Sequence, residues 1–150
     1  MVDVTSEAVI NRPREVVAGY AANPDNAPEW YSNIDSVHWE TPPPLAVGSK
    51  LAFKAQFMGR TLEYTYEFVE WEPGRKLVMR TAQGPFPMQT TYTWEDAGEG
   101  ATRMTLRNNG KPSGFSFIAG AVMAPMIKRA TRKDLAALKS ILEEKGKGEQ

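Results

Sequence analysis

Three tyrosines hold most of the chemistry this chain offers. Tyr64, Tyr66 and Tyr92 fall on one parity of strand-like segments whose other residues on that side are mostly apolar. A buried phenol seeks a hydrogen-bond partner, and in a pocket it can hold a ligand carbonyl or hydroxyl, or donate a proton. The competing role is a core tyrosine whose hydroxyl bonds to backbone. Asn108 adds a polar group at the same parity of the last strand-like run. His38 is the one histidine, and imidazole alone titrates near neutral pH without help. It stands between Val37 and Trp39 in an alternating run, which puts it on the outward face. Asp35, Glu40 and Glu63 also fall at outward or terminal positions, so neither a Ser-His-Asp set nor a carboxylate pair assembles. The absence of cysteine removes disulfides, thiol catalysis and thiolate metal sites. With a single histidine as well, no metal site and no cofactor are expected.

The elements that position these residues follow from periodicity. Val2, Val4, Ser6, Ala8 and Ile10 alternate with Asp3, Thr5 and Glu7, the pattern of a half-buried strand. Asn11-Arg12-Pro13 opens a short helix, with Asn11 as the expected cap. A second helical turn is expected over Ala27 to Tyr31, then a strand over Ile34 to Glu40. Pro42-Pro43-Pro44 is a loop or edge, since proline has no ladder donor. Leu51, Phe53, Ala55 and Phe57 begin a run of hairpins, with a tight turn at Met58-Gly59-Arg60. Leu62, Tyr64, Tyr66 and Phe68 continue on one parity, and then Val69 and Trp71 take the other. Either a β-bulge near Phe68 and Val69 or a sheet covered on both faces accounts for the slip. Strands follow over Lys76 to Thr81, then Met88 to Trp94, then Thr102 to Asn108. Ser113 caps a long final helix whose first half, Phe115 to Ile127, is apolar nearly all round. Pro125 is expected to kink it, Leu135, Leu138, Ile141 and Leu142 form the buried stripe of its second half, and Gly146 stops it.

The order is strand, two short helices, six strands and one long helix. The fold class is therefore α+β (β-α-α-β6-α), a seven-stranded curved antiparallel sheet wrapped around the C-terminal helix. One domain spans residues 1–146, with 147–150 a frayed tail. The formal net charge of zero argues against nucleic-acid binding, and no apolar run reaches a membrane span. The first residues lack the basic and apolar regions of a signal peptide, so a cytoplasmic protein is the expectation, monomeric or weakly dimeric. Lys128, Arg129, Arg132 and Lys133 cluster on the final helix. They read as a solvated face diluted by Asp134, Glu143 and Glu144, with anionic head groups or an acidic partner as the alternative.

Several segments together resemble the START-like (SRPBCC) superfamily, in particular its polyketide cyclase/dehydrase-like branch. They are Ile10 to Val16, Pro24 to Tyr31, Val47-Gly48-Ser49, Val69 to Leu77, Thr91 to Trp94, Gly100 to Leu106 and Asp134 to Lys139. The resemblance covers nearly the whole chain. It implies a helix-grip fold (the Bet v 1-like architecture) with an apolar cavity between sheet and helix. On that expectation, strand parity nominates Phe53, Phe57, Leu62, Tyr64, Tyr66, Met88, Thr90, Tyr92, Met104 and Asn108 as its lining. From the helix come Phe115, Ile118, Ala119, Val122 and Met123. Trp30 is expected to plug one end of the core, with Trp30 and Tyr31 near the entrance that relatives have. Pro42-Pro43-Pro44 and Gly84-Pro85-Phe86-Pro87 are candidate rim loops.

The functional reading is binding, with or without transport, of a small hydrophobic molecule such as a lipid, polyketide or aromatic compound. A non-enzymatic role is favoured. The alternatives are a polyketide cyclase or dehydratase using a pocket tyrosine as proton donor, and a co-chaperone-like interaction module. The chain offers few charged pocket groups of the kind that steer ring closure, which argues against the cyclase.

Overall fold

The structure, a computed structural model, describes residues 2–57, 59–83, 88–110 and 117–148; for Phe57, 82–83, 117–123 and 147–148 only the backbone is described. Strand β1 (Val2–Ile10) leads into α1 (Arg14–Ala22), a 3-10 turn (Pro24–Asn26) and α2 (Ala27–Trp30). Then come β2 (Ile34–Trp39), β3 (Lys50–Phe57), β4 (Arg60–Glu72), β5 (Lys76–Gln83), β6 (Met88–Asp96) and β7 (Thr102–Gly110). The last element is α3 (Phe117–Gly148).

The strands form one seven-stranded sheet in the order β1-β7-β6-β5-β4-β3-β2, with every neighbouring pair antiparallel. The first two strands in sequence thus lie on opposite edges, and α1 and α2 carry the chain between them. This is the helix-grip α+β fold that the sequence predicts. Among the described residues, no helix is long and apolar enough to cross a membrane.

Alternation decides which face each strand buries. Val2, Val4, Ser6 and Ile10 are buried, whereas Asp3, Thr5, Glu7 and Val9 are exposed. The slip in β4 is a bulge: Phe68 pairs with Met79 and Glu70 with Val78, leaving Val69 as the extra residue. The bulge resets the side-chain parity, so Phe68 and Trp71 both reach the main core. Gly59, at a φ of 76°, makes the tight β3–β4 connection, a conformation that side chains disfavour.

The core lies between the inner face of the sheet and the second half of α3. Trp94, Met104 and Leu106 on the sheet and Leu135, Leu138 and Leu142 on the helix are all essentially inaccessible. Burying one such side chain contributes about 1.5–3 kcal/mol. Polar contacts fix the helix in register. Ser6 Oγ and Thr131 Oγ1 lie 2.8 Å apart in the interior, and Lys139 Nζ donates to the Val9 carbonyl at 2.9 Å.

Two helix boundaries differ from expectation. Pro13, not Asn11, holds the N-cap position of α1, and no side chain caps that helix. The Asn11 amide instead donates to Glu143 Oε2 at 2.9 Å, tying the β1–α1 junction to α3. Gly146 does not stop α3, which continues to Gly148. Its value is space: a Cβ there would stand 2.7 Å from Arg12 Nη1. Arg12 in turn donates to the Leu142 carbonyl at 3.0 Å, satisfying an acceptor near the helix end.

Candidate functional site

A cavity of about 190 Å³ lies between the sheet, the α1–α2 segment and α3. Its origin is in residue size. Ala21, Ala22 and Ala27 face it from the helical segment, Ala55 from β3 and Ala130 from α3. Small side chains arriving from three directions leave a volume that no larger one fills. For scale, a dry cavity of about 150 Å³ lined by apolar side chains accepts benzene.

The sheet supplies Phe53 from β3, Tyr64, Tyr66 and Phe68 from β4, Leu77 and Met79 from β5, Met88, Thr90 and Tyr92 from β6 and Asn108 from β7. Seven of the nominated residues therefore come together: Phe53, Tyr64, Tyr66, Met88, Thr90, Tyr92 and Asn108. Leu62 and Met104 do not line the cavity. Leu62 packs with Val2, Val4 and Ile127 in a separate small cluster. Met104 pairs across the sheet with Trp94 and Ala8, in the filled core. Phe57, Ile118, Ala119, Val122 and Met123 fall where only the backbone is described, and Phe115 and the Gly84-Pro85-Phe86-Pro87 loop lie outside the described residues.

The helix wall reaches further along α3 than expected. Ile127, Ala130, Thr131 and Asp134 line the cavity, all beyond Pro125. Their spacing of three and four residues is one helical stripe, and that periodicity was the available signal for Asp134. Its charge pointed instead to the solvated face. Tyr31 is a further polar lining residue that the strand and helix patterns did not nominate. It follows the buried Trp30 in a segment too short to show periodicity, and the Tyr31 and Trp30 rings lie 4.2 Å apart. Trp30 itself sits in the core rather than on the cavity wall.

The polar groups of the cavity are organised into linked sets. The hydroxyls of Tyr31 and Tyr92 are hydrogen-bonded to each other. Tyr66 hydrogen-bonds to Thr90, and the Thr90 hydroxyl donates to Asn108 Oδ1 at 2.8 Å. Asp134, only 2% exposed, accepts from the Ser32 amide at 2.9 Å and also from the Ser32 side chain. This contact holds the residue next to Tyr31 against α3.

Burial raises the pKa of every phenol here. Desolvation is the main cause for Tyr31, Tyr66 and Tyr92, and it pushes Tyr64 up to about 12. Burial also raises the Asp134 carboxyl above its ordinary value, against the opposing hydrogen bonds from Ser32. The folded protein therefore holds the Asp134 proton to higher pH than the unfolded chain does. Stability contributed by the protonated form is full below the ordinary aspartate range and is lost as pH rises through the raised value. Asp134→Asn is expected to remove this fall, so melting temperatures of variant and parent should diverge with rising pH across the mildly acidic range. A constant difference across that range would refute the assignment.

Residues 1–143 match the family model described as polyketide cyclase/dehydrase and lipid transport. The chain belongs to this family. No protein of curated function matches its sequence. Among solved structures, a Thermus thermophilus protein superposes with a TM-score of 0.80 at 17% identity, covering 95% of this chain and 97% of the other. The Zhui aromatase/cyclase from Streptomyces also gives 0.80, at 13% identity over 94% and 93% of the two chains. A START superfamily protein from Mycobacterium smegmatis gives 0.73 at 15% identity, over 95% and 97%. At such identities the likeness carries the fold, and function rests on the site.

Proposed function

We propose that this protein binds a small hydrophobic molecule in the cavity between sheet and helix. The observation that carries this reading is a largely apolar cavity whose polar groups include hydrogen-bonded tyrosine and threonine hydroxyls. Such a site is typical of small-molecule pockets, in which apolar walls supply affinity and a few placed polar groups supply orientation. Burying roughly 200 Å² of ligand apolar surface would contribute about 5 kcal/mol before the costs of association. Phe53, Met88 and the alanine-lined wall make the apolar contacts, while Tyr31, Tyr64, Tyr66, Thr90, Tyr92 and Asn108 orient the polar end. The phenols hold their protons at neutral pH, so they offer donors to a ligand carbonyl or hydroxyl. Tyr92→Phe removes one such donor. It is expected to weaken binding of naphthylmethanol about threefold to tenfold by calorimetric titration, the value of one hydrogen bond. Unchanged affinity would remove Tyr92 from the site.

One observation supports a second reading, a cyclase or dehydratase of polyketide-like substrates: the protonated tyrosines stand fixed in a fold shared with an aromatase/cyclase. Against it, an efficient general acid has a pKa near the working pH, and these phenols are displaced away from it. Turnover of a polyketide-like ketone that is lost in Tyr66→Phe and Tyr92→Phe, with binding retained, would establish this reading over simple binding.

A further inference from the structure

The cavity contains an electrostatic imbalance that a neutral ligand leaves uncorrected. Among the described residues that line it, Asp134 is the one charged side chain. The nearby cation Lys133 is exposed on the outer side of α3 and does not line the cavity. A carboxylate taken out of water is costly unless it is paired. Ser32 supplies two donors, whereas a carboxylate has about four lone-pair sites. Aromatic rings share this space with Asp134. Tyr31, Phe53, Tyr64, Tyr66, Phe68 and Tyr92 all line the cavity. Phe53 meets Tyr66 edge-on at 5.6 Å between centroids, and Tyr64 lies 6.3 Å from Tyr66. Ring faces attract cations, most strongly where water is excluded.

We propose that the cavity takes a hydrophobic amine, its protonated nitrogen held by the Asp134 carboxylate among the tyrosine rings and its apolar body against the alanine-lined wall. This rests on the reading of the cavity as a binding site and specifies the ligand class. The ligand places a cation inside the cavity, whereas Lys133 acts on Asp134 from an exposed position, and the Tyr31–Tyr92 pair lies within the electrostatic reach of the same carboxylate. A hydrophobic acid meets the opposite situation, with its charge repelled by Asp134 and no counter-ion among the described lining residues.

The test compares two probes of matched shape, naphthylmethylamine and naphthylmethanol, by calorimetric titration at neutral pH. The amine is expected to bind at least about tenfold more tightly. Asp134→Asn should erase that advantage, bringing the affinities of the variant for amine and alcohol to within about twofold of each other. A second measurement uses the unaltered protein: the amine should lower the pKa of the Asp134 carboxyl, followed by its carbon NMR shift, and the alcohol should not. Equal or tighter binding of the alcohol, or an amine advantage that survives Asp134→Asn, overturns the proposal and leaves the binding reading intact. Failure of both probes to bind overturns the two together.

Discussion

Leu138→Ala is expected to destabilise the protein by about 2–5 kcal/mol, the usual range for a leucine deleted from a packed core. Leu138 is completely buried and belongs to the stripe with Leu135 and Leu142 that seats α3 on the sheet. Domains of this size hold about 5–15 kcal/mol in all, so the variant would lose a large share of its stability. Urea denaturation followed by tryptophan fluorescence measures it. The tryptophans Trp30 and Trp94 are buried in the same cluster and report its opening. A loss below about 1 kcal/mol would mean that the helix is not clamped at this point.

Ala55→Phe is expected to abolish ligand binding while leaving the fold intact. Ala55 lies on β3 between Phe53 and Phe57, is 5% exposed, and lines the cavity. A benzene ring fills most of a cavity of about 150 Å³, so a phenyl group directed there occupies much of the space. Phenylalanine also suits a strand. Affinity for naphthylmethanol should fall at least about hundredfold, equivalent to about 2.7 kcal/mol. Stability provides an independent readout. A real void accommodates the ring at little cost, whereas a filled interior would be overpacked and lose about 1–3 kcal/mol. Retained binding, or a marked loss of stability, would show that the space is not available as described.

How much was legible follows from where periodicity operates. Strands with one wet face announce themselves, and the alternation in β1, β3, β6 and β7 matches the buried and exposed residues. The slip at Val69 was visible because a bulge breaks parity and leaves Phe68 and Trp71 on one side. The pairing of β1 with β7 has no local signal, because it joins residues about a hundred positions apart. The resemblance, not the pattern, carried that closure. In the site, tyrosine parity identified Tyr64, Tyr66 and Tyr92 as inward. The same parity over-reached at Leu62 and Met104, since it assigns a face of the sheet but not a position along it. Met104 belongs to the packed core with Leu138 and Leu142, whereas Thr90 and Asn108 line the cavity with Ala130. Pro125 misled the division of the helix, because the change from cavity wall to packed anchor comes at Asp134 and Leu135. Tyr31 and Asp134 escaped notice for physical reasons. One sits in an aperiodic segment, and the other is a charge buried by partners distant in sequence.

The cavity as a binding site is tested most directly by amide chemical-shift mapping during a titration with naphthylmethanol. Saturable shifts are predicted at Ala55, Tyr66, Tyr92, Ala130 and Thr131, all on the cavity wall, with none of comparable size at the outward-facing Arg80, Arg103 and Arg107. The Ala55→Phe protein should show no saturable change at the wall. Shifts confined to the outer face, or a wall that does not respond at saturating probe, would contradict the account.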